Sequence, residues 1–437
     1  MPRQPLKPLL ARCKKKPNKL NHIINMKCNP WTMALVGAGL VSLPALTQAE
    51  EKPSDVLTAL SSTTLSGYVN TSAIWQPGTA KAGVVGIPGR AFDGPQSKQD
   101  GFNLDVVSLT LSKPVSEGDW GAGYTAQIWA GPDAVNFNTS FPNGFGSGGD
   151  FGVKQAFVDL HAPIGNGLDI KLGHFNYIGG YEVPDAGGNP NYSRSFAWTQ
   201  EPASHTGVLL SYTVCDWLTL MGGVANTFNN GINWRGTRDG GVTTSETEKT
   251  YMGMIMLTAP TNGFGFLGGS TLSATVVNGL NSASGNTANS AFAGSPTPGH
   301  ETSVNVSATT PTPLTNLKVG LSYDYTDGFP LKDNYADVYT LYLMYQATEK
   351  LKLNGRVEYT TASSGFWYTP PDGGHHNELL GLTGTIDYSL WKNVISRVEV
   401  RWDHSLSGDR PYNVPAGDPP AGEKNVVTVA LNVIYSF

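Results

Sequence analysis

The chain ends on the stretch Asn425-Val-Val-Thr-Val-Ala-Leu-Asn-Val-Ile-Tyr-Ser-Phe437, in which two kinds of side chain alternate. Successive side chains of a β-strand point to opposite faces, so a period of two predicts a strand and not a helix. One face is wholly apolar and the other is mainly small or polar. The apolar face holds Val427, Val429, Leu431, Val433, Tyr435 and Phe437, and the other holds Thr428, Ala430, Asn432, Ile434 and Ser436.

This strand finishes on an aromatic residue with no polar tail after it. Chain ends usually fray in water, whereas interface aromatics anchor a strand whose apolar face meets lipid. The stretch resembles the C-terminal strand of bacterial outer-membrane proteins, in which the terminal Phe is part of the assembly signal. That resemblance makes Tyr435 and Phe437 candidate assembly residues. On this segment alone, a plain terminal strand of a soluble all-β domain remains open.

The composition restricts the class of protein. Charged residues make up 14% of the 437 residues, Gly reaches 52, and the mean hydropathy is −0.21. Low charge with moderate hydropathy fits transmembrane strands, whose two faces average to near neutrality. A secreted soluble β-protein would share much of this composition. After the leader, no apolar stretch approaches the length of a membrane-spanning helix.

Residues 1–49 are predicted to be a signal peptide. The apolar run Met33 to Leu46 is followed by Thr47-Gln48-Ala49 and the acidic Glu50, as at a cleavage site. Met26 would start a leader of conventional size, and we expect it to be the true start. Residues 50–63 are then a short periplasmic segment, and residues 64–437 form the barrel described below.

Removing the leader leaves an acidic protein. The remaining chain holds 21 basic and 34 acidic residues, a formal net charge of −13. Nucleic acid is an improbable partner for so acidic an exported protein. Cys215 is the one cysteine left after residue 49, so no internal disulfide is expected.

Short alternating segments recur along the mature chain and predict about sixteen strands. They lie near residues 64–75, 101–112, 120–130, 152–162, 168–175, 206–213, 218–226, 250–258, 271–279, 302–309, 317–326, 336–347, 351–360, 378–389, 393–404 and 425–437. An even number suits a single-chain bacterial barrel with both termini in the periplasm. In the second strand the apolar phase slips at Val106-Val107, as a β-bulge would cause.

The links between these segments alternate in length. Links such as 163–167 and 348–350 are short, whereas those at 176–205 and 405–424 are long and rich in Gly, Pro, Asn and Ser. Short periplasmic turns and long external loops predict this rhythm, and a soluble sandwich predicts no strict alternation. The fold predicted is an all-β, transmembrane, antiparallel up-and-down β-barrel of about 16 strands that 425–437 closes against 64–75.

The late strands separate charged from apolar faces. A charge facing lipid near the bilayer midplane costs about 2–4 kcal/mol, so the charged faces are predicted to point inward to water. Sixteen strands enclose more space than wall side chains fill. The candidate pore-lining residues are Lys318, Asp324, Lys352, Arg356, Glu358, Arg397, Glu399, Arg401 and Asp403. The lumen is then either a water channel or a space filled by a polar plug.

Residues 153–228 resemble the OmpL-like putative β-barrel porin family. The matching motifs are Val153-Lys-Gln-Ala-Phe-Val-Asp-Leu160, Lys171-Leu-Gly-His-Phe175, Gly180-Tyr-Glu182, Tyr192-Ser-Arg-Ser195 and Glu201-Pro-Ala-Ser-His-Thr-Gly207. Leu65-Ser-Gly-Tyr-Val69 and Phe102-Asn-Leu104 also look like that family. The resemblance implies an outer-membrane porin fold and brings no settled substrate.

The long link 176–205 is a candidate constriction element, by analogy with general porins in which a long loop folds inward. Its charged candidates are Glu182, Asp185, Arg194 and Glu201, with His205 beside them. The alternative is an external loop that packs on the rim through its Arg–Glu pairs.

Catalytic and metal chemistry find little support. His375-His376 lie beside Asp372 and Glu378, but adjacent histidines point apart on an extended chain. His161 and His174 could face each other on neighbouring strands, yet no Ser or carboxylate is spaced to complete a catalytic set. We therefore expect that the protein is not an enzyme and binds no metal or cofactor. An outer-membrane barrel hydrolase is the remaining alternative, because such enzymes place catalytic groups on barrel strands.

The sequence thus predicts an outer-membrane porin for passive diffusion of small polar solutes or ions. The alternative is a structural or adhesive barrel with a plugged lumen. Expected partners are outer-membrane lipid, the barrel-assembly machinery and the solutes themselves. The oligomeric state stays open, with a homotrimer frequent among porins of this size.

Deleting Phe437 tests its assembly role. We expect less folded barrel in the membrane, because an interface anchor and assembly residue is lost, with unchanged conductance of the channels that do fold. Heat-modifiable electrophoretic mobility measures the first and single-channel recording the second. Normal barrel yield from the deletion variant would remove Phe437 from assembly.

Overall fold

The structure is a computed structural model. It describes residues 62–77, 89–90, 98, 100–115, 120–137, 151–228, 231–238, 243–245, 247–281, 300–328, 334–369, 376–412 and 422–437. The predicted signal peptide, almost all of 50–63, and the residues Asp372 and His375 lie outside this described part.

Sixteen antiparallel strands form one closed barrel. They are β1 (Thr64–Trp75), β2 (Gly101–Lys113), β3 (Gly121–Ala130), β4 (Phe151–Ala162), β5 (Leu168–Asn176), β6 (Ser204–Cys215), β7 (Leu218–Ala225), β8 (Thr250–Thr258), β9 (Thr271–Leu280), β10 (His300–Pro311), β11 (Leu317–Asp327), β12 (Tyr335–Gln346), β13 (Leu351–Ser363), β14 (His376–Trp391), β15 (Val394–Ser405) and β16 (Asn425–Ser436). Each strand pairs with its sequence neighbours. The predicted fold class is confirmed, and every predicted strand is present with small shifts at its ends.

Barrel closure joins the first strand to the last. The register of β1 and β16 runs from Tyr68 opposite Ser436 to Trp75 opposite Val429. Beyond the strand, the backbone N–H of Phe437 donates to the Gly67 carbonyl at 3.0 Å, and the Gly67 N–H donates to the Phe437 carbonyl at 3.0 Å. The last residue of the chain therefore extends the closing ladder.

The two faces of β16 differ as the alternation predicts. Leu431 and Tyr435 on the apolar face are 53% and 49% exposed, whereas Asn432 and Ile434 on the other face are each 1% exposed. A strand with an apolar exposed face and a buried inner face suits a barrel wall in lipid. Trp391, at the end of β14 before the short turn to β15, is also exposed, as are Tyr435 and Phe437, whose rings form a tilted pair. We call the end of the barrel that holds the short turns the turn side.

Two β-bulges place charged side chains inside the barrel. The register between β1 and β2 shifts so that Asp105 is the extra residue, one position before the predicted slip at Val106-Val107. The register between β3 and β4 shifts in the same way at Lys154. Asp105 and Lys154 are both buried. Each bulge thus adds an inward charge without moving the apolar face of its strand out of lipid.

Short elements in the long links were not predicted. Helix α1 spans Pro132–Phe137 and helix α2 spans Phe196–Gln200, and a two-stranded hairpin pairs Gly236–Arg238 with Thr243–Ser245. Such short pieces carry too few residues for a readable period. Across the part of the chain that the structure describes, no helix is long and apolar enough to cross a membrane.

Replacing Gly67 should weaken barrel closure. A Cβ at Gly67 would lie 2.2 Å from the Ser108 carbonyl oxygen and 2.8 Å from Cζ of Phe437, whereas one at Gly384 meets no atom within 4 Å. We expect Gly67→Val to lower the free energy of unfolding by about 1–3 kcal/mol, as overpacking does. Urea titration in lipid vesicles measures this, with Gly384→Val as the matched control. Equal stability of the two variants would contradict the closing contact.

Candidate functional site

The loop between β5 and β6 lies inside the barrel. This inward loop (residues 177–203) leaves the wall at Asn176, contacts strands across the lumen, and returns at Ser204. Tyr192 donates to Asp105 of β2, and Asp185 accepts from Gln127 of β3. Other loop residues bond to β10 and to β12–β15, so the loop crosses the interior and is not an external rim loop.

Hydrogen bonds and turns within the loop stabilise its course through the barrel. The Asn189 side chain accepts from the Val183 N–H at 2.8 Å and donates to the Val183 carbonyl at 2.7 Å, which closes a tight turn. Gly180 adopts φ +83°, and a Cβ there would lie 2.4 Å from Glu201 Oε2. Glycine is required at Gly180 for both reasons. The Ser195 hydroxyl caps α2 by accepting from the Trp198 N–H.

Arg356 joins the wall to the loop. Its guanidinium donates to Glu182 Oε1 of the loop at 2.9 Å and to Glu358 Oε2 of its own strand at 2.7 Å. It also donates to the Ser193 carbonyl at 2.6 Å and the Arg194 carbonyl at 3.2 Å. Five N–H donors in a fixed fork allow one arginine to bind all of these acceptors.

Carboxylates of the wall accept the loop's backbone N–H groups. Glu399 accepts from Tyr192 at 2.6 Å and from Ser193 at 2.9 Å, and Glu358 accepts from Phe196 at 2.6 Å. A buried backbone N–H without a partner costs free energy. The wall carboxylates supply those partners, since the described loop backbone runs through the lumen and away from its neighbouring strands.

Two further arginines donate hydrogen bonds to backbone carbonyls of the loop. Arg397 donates to the carbonyls of Ala186 at 3.0 Å and Asn189 at 2.8 Å. Arg401 donates to the Arg194 carbonyl. Each arginine also pairs with a wall carboxylate, Asp387 for Arg397 and Asp403 for Arg401.

The predicted pore-lining residues lie on the inner faces of their strands, and most of them are covered. Seven of them are 0–3% exposed, because the loop or neighbouring wall groups cover them: Asp324, Arg356, Glu358, Arg397, Glu399, Arg401 and Asp403. That these seven residues line the pore stays a prediction. Lys318 and Lys352 are exposed on the same inner faces near the turn side.

The predicted constriction-loop residues are all placed in the lumen. Glu182, Arg194 and Glu201 are buried, and Asp185 is half-buried. Arg194 stacks on the Trp198 ring at 5.0 Å and donates to the Pro184 carbonyl. His205, also buried, lies with its ring 6.3 Å from that of Tyr177.

Glu201 meets a wall carboxyl. Its side chain hydrogen-bonds to Asp324 of β11, which also accepts from Asn305 Nδ2 at 2.7 Å and from the Ser322 hydroxyl at 2.5 Å. Burial and the neighbouring Asp324 carboxyl raise the pKa of Glu201 well above its ordinary value. This carboxyl pair anchors the C-terminal end of the loop.

The N-terminal end of the loop packs on an apolar part of the wall. Tyr177 and Ile178 form one buried cluster with Met221 of β7 and with Met252, Met254 and Met256 of β8. We call these four methionines the methionine wall. Sequence reasoning missed it, although the alternation Met252-Gly-Met-Ile-Met256 already predicts three methionines on one face of a strand.

A second charged group was also missed. Lys98 Nζ lies 2.9 Å from Asp133 Oδ1 of α1 and 3.9 Å from Asp105 Oδ1, and 5.4 Å from the Tyr192 ring centroid. Burial raises the pKa of Asp133 to about 6, although Lys98 opposes the shift. Lys98 belongs to a long link without periodicity, so no sequence pattern indicated its position.

The histidines do not form the pairs considered from sequence. His161 Nδ1 lies 2.6 Å from Asp169, and His174 contacts Ser204 and Thr206, so the two histidines do not face each other. Within the described ranges no group of three or more His, Cys, Asp or Glu side chains could hold a metal ion. His376 lies 3.4 Å from the Tyr335 hydroxyl.

Comparison with known families gives one match that spans the barrel. The family model described as putative beta-barrel porin-2, OmpL-like, matches residues 62–437. No curated protein matches the chain.

Solved structures match the fold at low sequence identity. The outer-membrane channel DcaP of Acinetobacter baumannii gives a TM-score of 0.52 at 12% identity, covering 86% of this chain and 97% of that one. An anion-selective porin from Comamonas acidovorans gives 0.52 at 11%, with 86% and 99% covered. OmpT of Vibrio cholerae, in a trimer form, gives 0.50 at 10%, with the same coverage.

Substituting Arg356 should release the loop from the wall. Arg356→Gln leaves the Glu182 and Glu358 carboxylates buried without their cation, and we expect a loss of about 3–5 kcal/mol in the free energy of unfolding. Hydrogen exchange should rise in peptides covering Tyr192 to Phe196. Lys352→Gln, on the same face of the same strand but exposed, is the matched control and should change stability by less than about 0.5 kcal/mol. An Arg356→Gln loop as protected as the wild type would contradict the anchoring role.

Proposed function

The chain belongs to the OmpL-like putative beta-barrel porin-2 family and is an outer-membrane porin, and on that premise we propose that the inward loop is its constriction element. In this proposal small polar solutes and ions diffuse passively through the barrel and pass the loop at the narrowest level. The observation that carries it is the set of bonds from Glu182 and residues 192–196 to the opposite wall.

The exposure of inward side chains supports a constriction at the level where the loop crosses the barrel. Wall residues midway along the strands are buried all around the barrel, for example Asn70, Met254, Asn305, Thr340 and Thr385. Inward residues near the turn side, such as Thr213, Lys318 and Lys352, are exposed. Inward side chains are thus more exposed in this turn-side vestibule than at the level where the loop crosses.

The charged side chains of the loop and of the facing wall support the proposal that the solutes are polar. Glu182 and Asp185 on the loop lie among the arginines 356, 397 and 401 on the wall. The charges that stay exposed or half-buried near the loop, Asp185, Lys318 and Lys352, set the field that a polar solute meets. The acidic excess of the mature chain favours a mild preference for cations. The Comamonas acidovorans structure that shares the fold is named as an anion-selective porin.

A second candidate is a structural or adhesive barrel whose lumen is plugged. The same burial of the mid-wall residues favours it, because the described loop contacts the wall on several sides. The two candidates differ in one property, since a plugged barrel carries no steady ionic current.

We also propose that the porin assembles as a homotrimer in contact with outer-membrane lipid, after insertion by the barrel-assembly machinery. A trimer form is known for the Vibrio OmpT structure, which shares the fold. That the chain is no enzyme stays a prediction.

Planar-bilayer recording tests the channel. We expect stepwise current from the purified protein, and a cation-to-anion permeability ratio that rises in the double variant Lys318→Glu/Lys352→Glu, because two vestibule cations become anions. Lys392→Glu, in an exposed turn, is the matched control. Absence of stepwise current would favour the plugged barrel, and an unchanged reversal potential in the double variant would remove both lysines from the ion path.

A further inference from the structure

The methionines of the barrel are concentrated at the inward loop. After residue 49 the chain holds five methionines, and four of them form the methionine wall. Met254 of β8 stands directly opposite Met221 of β7, with Met252 and Met256 two residues to either side. The fifth, Met344, accepts a hydrogen bond from the Tyr181 hydroxyl of the loop at 3.7 Å.

The methionine wall is the apolar part of the surface against which the loop packs. Its side chains are 4–8% exposed and share one cluster with Tyr177 and Ile178 of the loop and with Leu209 and Val277 of the adjoining strands. Wall positions on the opposite side of the lumen are ionic instead. The loop is therefore held by arginine and carboxylate bonds on one side and by thioether packing on the other.

We propose that the methionine wall is a site of oxidative modification and that its oxidation releases the inward loop. The oxidant is a two-electron oxygen donor of the peroxide or hypohalous class. With hydrogen peroxide, the O–O bond breaks, one oxygen forms an S=O bond with the thioether, and the other leaves as water. The sulfur loses two electrons and the peroxide gains them.

The physical reason is a change of polarity in a packed apolar site. A sulfoxide is polar, chiral and larger than the thioether it replaces. The described neighbours Leu209, Val277 and Ile178 offer it only apolar side chains, and the donors within the site are hydroxyls, that of Thr275 opposite Met254 and that of Tyr177 on the loop. Either one of these hydroxyls turns to donate to the sulfoxide oxygen, or Tyr177 and Ile178 leave the wall and admit water. The second course moves the N-terminal end of the loop.

Oxidants can approach from the vestibule. Inward residues next to Met256 toward the turn side, Thr258 and Thr271, are half-buried, whereas those around Met252 are buried. Met256 should therefore oxidise first within the methionine wall. The effect on transport rests on the proposed function, because release of a constriction element widens the passage and raises conductance.

The experiment separates loop release from transport. Full-length protein in lipid vesicles, in a Cys215→Ala background to remove the reactive thiol, is treated with hydrogen peroxide. Peptide mass spectrometry then locates added oxygen, hydrogen exchange reports protection of the loop, and bilayer recording reports conductance. The matched variant carries Met→Leu at all four positions of the methionine wall, a volume-conserving change. A Met344→Leu variant separates the contribution of the fifth methionine.

We expect hydrogen exchange in residues 177–182 to become faster on the order of tenfold once the methionine wall is oxidised. A tenfold change corresponds to about 1.4 kcal/mol in the free energy of opening the loop, which is about the net contribution of one hydrogen bond. The fourfold Leu variant should keep its protection under the same treatment, and Met344→Leu should respond like the parent. Sulfoxides in the wall without faster exchange would overturn the proposal, as would an equal response of the Leu variant. Faster exchange in a barrel that conducts neither before nor after treatment would uphold loop release and reject the channel.

Discussion

A polar backbone group must have a partner wherever water is excluded, and this constraint shapes the molecule twice. In the wall it requires a sheet without free edges, which pairing of β1 with β16 provides. In the lumen it applies to residues 177–203, whose backbone leaves the sheet. There the partners are side chains of the wall, chiefly Arg356, Glu358 and Glu399. Charged wall residues that the sequence predicts to line the pore therefore form hydrogen bonds with the loop.

The barrel was predictable because its signal is local and repeated. The alternation of apolar and polar side chains in stretches such as 317–326 and 425–437 can be read within each strand alone. The alternation of short and long links then indicates which ends of the strands carry turns and which carry loops. The bulge at Asp105 was found to within a residue, because an extra residue shifts the phase of everything after it. The Lys154 bulge escaped notice, since Ala156 and the glycines around it blur the phase.

The interior was less predictable, because what covers a wall residue comes from far along the chain. Sequence alternation gave the inward direction of Arg356 and Arg401, but not their burial, which depends on a loop about 160 to 210 positions away. Resemblance indicated residues 176–205 as an inward element, and the structure places Glu182 against Arg356. The Lys98 group and the methionine wall needed three-dimensional register to be seen.

Two wall arginines form a salt bridge with the carboxylate two residues ahead on the same strand: Arg356 with Glu358 and Arg401 with Asp403. Neither pair depends on the loop or on another strand for its partner. Each arginine therefore has its counter-ion within its own strand, and the net charge of each pair is zero before the loop packs on it. The guanidinium groups still have N–H donors left for the loop, which Arg356 gives to the Ser193 carbonyl and Arg401 to the Arg194 carbonyl.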